Sequence, residues 1–173
     1  MKKTLQLILL SLIATVVLSA CGNTPIQVGL QDFTVDASAV ANTAGKVVYK
    51  AEPVSFEKPV INVKTVKLSG NVTPSYLGTT LQIQFYASAS KPVGCDEVAG
   101  LLVCDKNGQK PISGEYTLEN GVKQPIELGN PNADVLAEGL NNGKIWLGVE
   151  IASSGAANVK LQFSDMVASV TIF

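Results

Sequence analysis

Apolar and polar residues alternate along most of the chain beyond residue 25. Ile145, Leu147, Val149 and Ile151 share one face of an extended segment, opposite Trp146, Gly148 and Glu150. Val159, Leu161 and Phe163 oppose Lys160 and Gln162, and Leu81, Ile83 and Phe85 oppose Gln82, Gln84 and Tyr86. Val66, Leu68 and Val72 oppose Thr65, Lys67, Ser69 and Asn71. A period of two is the signature of a strand with one face hidden and the other wet. Ile26, Val28 and Leu30 begin the same pattern near the amino end, and its phase slips by Phe33 and Val35, which points to a bulge. Met166 to Phe173 is apolar or small on both faces and reads as a central strand.

Turn signals separate these runs. Asn107-Gly108, Asn120-Gly121 and Asn142-Gly143 are dipeptides favoured in tight hairpins, because both residues tolerate positive φ. Ser153-Ser154-Gly155 is a further connector, and Asp36 to Gly45 is small and polar enough to be a loop. A helix is suggested only at 131–138, with Asn130 as N-cap, Pro131 at the first helical position and Gly139 as a stop; a short strand there is the alternative. Short strands joined by turns, each hiding one face, predict an all-β chain, an antiparallel β-sandwich of immunoglobulin-like or similar kind with at most one short helix.

The first twenty residues stand apart. Met1-Lys2-Lys3 is a positive start, an apolar run follows from Leu5 to Leu18, and Ser19-Ala20-Cys21-Gly22 closes it with small residues. That is the layout of a secretory leader, and the run is short for a bilayer span, which takes about 20 residues. At its end, Leu18-Ser19-Ala20-Cys21 resembles the lipobox of bacterial lipoproteins, at the position where that family carries it. The resemblance covers the leader and nothing beyond it. It implies cleavage before Cys21, a diacylglyceryl thioether on its sulfur and acyl chains that hold the protein on a membrane, at about 0.8 kcal/mol per buried methylene. Gly22 stands where a retention signal would place Asp, so the resemblance points to the outer membrane in a diderm cell, and otherwise to the outer face of the cytoplasmic membrane. The expected organisation is a lipoprotein signal peptide at 1–20, a lipidated tether at 21–25 and a single β-sandwich domain at 26–173.

Composition then removes much of the usual chemistry. All 13 basic residues are Lys, and His is absent. Without His there is no imidazole base, Ser-His pair or His-ligated zinc, and without Arg there is no bidentate fork for phosphate or carboxylate. Removing Lys2 and Lys3 leaves 11 Lys against 14 Asp+Glu, a formal charge of −3, which argues against nucleic acid. No cofactor and no metal site is implied. Asp105-Lys106-Asn107-Gly108 is a poor calcium loop, because Lys106 stands among the would-be ligands.

With Cys21 assigned to the lipid, Cys95 and Cys104 remain. Export permits a disulfide between them, centred on a turn at Ala99-Gly100 and contributing about 2.7 kcal/mol in the chain-entropy model. Two buried thiols or a redox pair are the alternatives. Trp146 and Tyr86 lie opposite the apolar faces of their strands, where exposed rings beside Gln82, Gln84 and Glu150 could form a binding platform; the alternative is that Trp146 covers a second small core. No catalytic residue is assigned. The expected function is that of an envelope lipoprotein, anchored by Cys21, whose sandwich binds a protein or glycan partner or has a structural role. An envelope hydrolase of the glycosidase type is the alternative; it would use paired carboxylates, drawn from residues such as Asp96, Glu97, Asp105 and Glu150, about 5 to 9.5 Å apart across a cleft.

Overall fold

The alternating segments become two antiparallel sheets that pack face to face, so the expected β-sandwich is the observed fold. The computed structural model describes residues 25–29, 32–38, 45–55, 57–98, 100–152 and 156–172. The leader, Cys21 and all of the 21–25 tether except Pro25 lie outside those residues. In chain order the strands are β1 (Ile26–Gly29), β2 (Phe33–Ala37), β3 (Lys46–Lys50), β4 (Val54–Ser55), β5 (Thr65–Leu77), β6 (Leu81–Ser88), β7 (Asp96–Val98), β8 (Leu101–Asp105), β9 (Lys110–Leu118) and β10 (Gln124–Leu128). Helix α1 (Ala133–Asn142), β11 (Lys144–Ile151) and β12 (Ala157–Thr171) complete the fold.

The smaller sheet is built on the pairing of its two longest strands, β12 and β5, with β10 beyond β5 and both β1 and β2 laid along the other side of β12. The final apolar segment is therefore central, as its two-sided pattern predicts. It begins earlier than expected, at Ala157, and is interrupted by a register shift between Ser164 and Val167, where Asp165 has φ 53°. The change of phase near Phe33 has a related cause: β1 pairs with Val167–Val170 and β2 with Val159–Phe163, on either side of that bulge.

The larger sheet runs β7-β8-β3-β11-β6-β9, with β4 also paired to β11. Between the sheets, Ile83, Phe85 and Ile151 meet Val72, Leu161 and Phe163 in the main core. Phe85 and Phe163 meet edge to face at 5.9 Å, and Phe33 of the edge strand stacks on Phe163 at 4.6 Å. Tyr116 closes the sandwich at the β9–β10 side: its hydroxyl accepts from Glu127 N–H at 2.8 Å and donates to Glu127 C=O at 2.9 Å.

Two local expectations are corrected. The helix starts two residues later and ends later than 131–138, because Asn132, bonded to Pro111 C=O at 2.7 Å, is the residue before it, and Gly139 is no stop. Gly139 lies under Ile145, whose side-chain carbons sit 2.8–2.9 Å from where a Cβ would be, so the helix needs a glycine there to meet β11. Gly143 ends the helix instead, at φ 73°, which turns Asn142-Gly143 into a helix terminus and not a hairpin. Nor is Asn107-Gly108 a hairpin, since the strands it joins, β8 and β9, are separated by three others in the sheet.

Gly148 of β11 is a second position where the absence of a side chain decides the packing. The Tyr49 ring fills the place of its missing Cβ, with ring carbons at 2.5, 2.6 and 2.8 Å. Because Tyr49 is itself fully buried, the ring cannot withdraw. Gly148→Ala is expected to lower unfolding free energy by about 1–3 kcal/mol in urea titration. Gly114→Ala, where an added Cβ meets nothing within 4 Å, serves as the control and should change it by less than about 1 kcal/mol.

Candidate functional site

Tyr86 and Trp146 do lie on the outer face of the larger sheet, yet neither is an exposed platform. Tyr86 is 1% exposed and Trp146 5%. With Val47, Tyr49, Leu102 and Cys104 they form a second core, against which Ala51 and Cys95 also pack. The rings are therefore corrected from binding surface to core, and the alternative that Trp146 covers a second small core is the one found. Trp146 Nε1 donates to Ala51 C=O at 3.3 Å, and Lys144 Nζ lies 5.6 Å above its ring.

Chain connectivity explains the cover. The link from β6 to β7 must pass β11, β3 and β8, and the link from β8 to β9 must pass β3, β11 and β6. The inner face is occupied by the main core, so both links cross outside it. From Asp105 to Lys110 there are five residue steps, at most about 18 Å of chain. Four strand spacings across a flat sheet take about 19 Å. The sheet must curl around its outer face for so short a link to close, and on that face Tyr49 and Val47 are completely buried.

Each crossing is fastened. Cys95 and Cys104 form the expected disulfide, with Cα atoms 4.3 Å apart at the base of the β7–β8 hairpin, whose turn has Gly100 at φ 78°. In the other crossing, Lys106 turns inward and its Nζ donates to Glu150 Oε2 at 2.7 Å. Glu150 Oε1 accepts from the backbone N–H of Gly45 at 3.0 Å. The Tyr86 hydroxyl lies 2.7 Å from Gln84 Oε1 and 3.1 Å from Glu150 Oε2, one hydrogen serving two acceptors. The Tyr49 hydroxyl donates to Gln109 Oε1 at 3.0 Å.

These contacts set the titration of the cluster. Burial pushes the Glu150 carboxyl up, but hydrogen bonds from Lys106, Gly45 N–H and Tyr86 more than cancel it and leave the group below its ordinary value. The hydrogen bond to Glu150 raises the Lys106 ammonium above its usual value. Burial, then the hydrogen bond and charge of Glu150, push the Tyr86 phenol up to about 12. Burial, with the nearby Tyr86 as a smaller cause, raises Tyr49 still further. At neutral pH the cluster is one carboxylate, one ammonium and two neutral phenols; Lys106 and Tyr86 both meet Glu150, while Tyr49 is held by Gln109. Its chemistry is that of a fastener.

Beside the fastener the surface becomes concave. A groove of about 170 Å³ is lined by Ala87, Ser88, Ala89 and Ser90 at the end of β6, by Gly108, Gln109 and Lys110 of the crossing, and by Val135 and Glu138 of α1. Its floor is small and apolar, and its rim carries hydroxyls, an amide, an ammonium and a carboxylate. Among the described residues Lys110 and Glu138 make no ion pair, as holds also for Lys50, Lys58, Lys64, Lys67 and Lys144. Gln109 belongs to both fastener and groove, since its Oε1 accepts from Tyr49 and the residue also lines the groove.

The carboxylates named for a hydrolase are not gathered here. Glu150 is buried and paired, Asp105 binds Lys46 at 2.5 Å, Glu97 lies 3.9 Å from Lys91, and Asp96 is exposed on β7. The groove holds one carboxylate, Glu138. Among the described residues there is no group of three or more His, Cys, Asp and Glu side chains placed to hold a metal ion. Sequence alone pointed to neither the fastener nor the groove. Gly148 was the available signal, since a glycine inside a strand marks close approach of another group.

No family model matches the chain, and no curated protein sequence matches it. Among solved structures it is similar to the CBM22-1 xylan-binding domain of Xyn10C from Paenibacillus barcinonensis, at 10% identity over 85% of this chain and 86% of that one, with a TM-score of 0.36.

Glu150 gives a pH prediction. A carboxyl held below its unfolded value adds stability that is present above the unfolded pKa and lost as pH falls through the folded one. Lys106 is more than a third exposed, so solvent screens part of the pair and Glu150→Gln should cost about 1–2 kcal/mol at pH 7. Urea titrations from pH 7 downward should find the difference between Glu150→Gln and the parent shrinking once the pH falls below the ordinary Glu range; a difference independent of pH would contradict the assignment.

Proposed function

We propose that the protein is a bacterial envelope lipoprotein, anchored by acyl chains on Cys21, whose β-sandwich binds a polar envelope glycan in the groove between β6, the β8–β9 crossing and α1. The observation that carries the binding reading is the groove's rim, where Lys110 and Glu138 face solvent without an ion-pair partner among the described residues while Gln109 is held in place from below. A sugar chain presents closely spaced hydroxyl and amide groups, and a rim holding both donors and acceptors can satisfy them as it excludes water. Export is supported by the Cys95–Cys104 disulfide, a bond that persists in oxidising compartments, together with the leader and Leu18-Ser19-Ala20-Cys21. In a diderm cell Gly22 favours the outer membrane.

The two halves are tested separately. Labelled palmitate should enter the parent protein and not Cys21→Ala; equal labelling of both would refute the anchor. For binding, residues 22–173 are titrated with soluble peptidoglycan and polysaccharide fragments while backbone amide resonances are followed. Shifts should centre on Gln109, Lys110 and Glu138, and the double variant Lys110→Ala, Glu138→Ala should weaken binding at least tenfold, about 1.4 kcal/mol. Shifts centred elsewhere, or an unchanged affinity, would reject the groove.

A further inference from the structure

The end of the sandwich from which the tether leaves carries a second feature. Ile26, where β1 begins, lies opposite Val170 of β12. Thr171 lies opposite Thr65 of β5, and Lys64 N–H donates to Thr171 C=O at 2.8 Å. The start of β1 and the segment leading into β5 therefore share one end of the smaller sheet. That segment, Glu57-Lys58-Pro59-Val60-Ile61-Asn62-Val63-Lys64, places two apolar residues in water: Val60 is 103% exposed and Ile61 56%. Its base is rigid, because the Asn141 side chain accepts from Val63 N–H at 2.9 Å and donates to Val63 C=O at 2.7 Å, with Val63 itself buried. In the same segment and the start of β5, Lys58, Lys64 and Lys67 are all exposed, with Glu57 the one acid between residues 57 and 67.

We infer that the Val60–Ile61 tip inserts into the interfacial region of the membrane that holds the anchor, as a second point of contact for the domain. The inference rests on Cys21 being acylated. Five residue steps separate Cys21 from Ile26, so β1 starts within about 18 Å of the acyl attachment. The tip sits at that same end, while Leu77 at the far end of β5 is some 40 Å of strand away. A bilayer suits this surface in both of its parts. An exposed apolar pair gains by entering the acyl boundary, and lysines close to it in the chain reach anionic headgroups with their ammonium ends while their stems stay in the less polar zone. Two contacts, one covalent and one from the tip, would fix the tilt of the sandwich, which a single flexible tether leaves free.

The full-length protein, matured by its export host and purified with its acyl chains, is reconstituted in vesicles of phosphatidylethanolamine and phosphatidylglycerol. With Cys95 and Cys104 bridged and Cys21 in thioether linkage, Ile61→Cys carries the free thiol and takes an NBD label; Leu77→Cys, also exposed, is the distal control. Doxyl-labelled lipid should quench the label of Ile61→Cys at least threefold more than that of Leu77→Cys, and Val60→Asp added to Ile61→Cys should abolish the difference. Equal quenching at both positions in a chain whose mass shows the acyl groups would overturn this inference and leave the anchor intact. A mature chain lacking acyl groups would overturn both together.

Discussion

The middle of the larger sheet is buried on both faces, and most of what distinguishes this sandwich follows from that constraint. Four residues, Lys106 to Gln109, carry the chain across three strands. So short a link closes only over a curled sheet, and a curled sheet encloses side chains on its concave side. Tyr49, Tyr86 and Trp146 fill that space, Gly148 makes room for the Tyr49 ring, and Glu150 holds the crossing down through Lys106. Removing Lys106 alone would leave the buried Glu150 carboxylate without its charged partner, so the two residues hold the crossing as a unit.

The same crossing reaches outward. Gly108, Gln109 and Lys110 form one wall of the polar groove, and Gln109 is tied to the enclosed Tyr49. A wall fastened from below keeps its geometry when a ligand arrives, which lowers the ordering cost of binding. One turn further along α1 from Glu138, the Asn141 clamp on Val63 does the same for the Val60–Ile61 tip. In both places an exposed surface stands on a part-buried hydrogen-bonded base.

Much of this was legible in the amino-acid order. Alternation located the strands at 65–72, 81–86, 145–151 and 159–163, and the Cys95–Cys104 spacing located the disulfide. What periodicity could not reveal was a second core. It assigns residues to faces, and it placed Tyr86 and Trp146 correctly on the face away from Phe85 and Leu147. It then treats that face as wet, since nothing local to a strand records that a distant link will cross over it. The turn dipeptides failed for a similar reason. Asn107-Gly108 and Asn142-Gly143 satisfy local demands for positive φ at Gly108 and Gly143, but which elements they join is decided by packing far away. Glu138 and Lys110 drew no notice because a groove formed by α1 and a crossing link has no signature in either segment.

Trp146 is the only tryptophan of the chain, so its fluorescence reports directly on the enclosed outer face. Acrylamide quenching of the oxidised, folded protein is the most direct test of the covered sheet. Emission should be blue-shifted and nearly insensitive to acrylamide, and quenching should rise severalfold when Glu150→Gln and Cys95→Ser are combined, because both fasteners of the crossings are then gone. Emission at the position of free tryptophan in water, with full quenching already in the parent protein, would mean that the ring stands in solvent and that no second core is present.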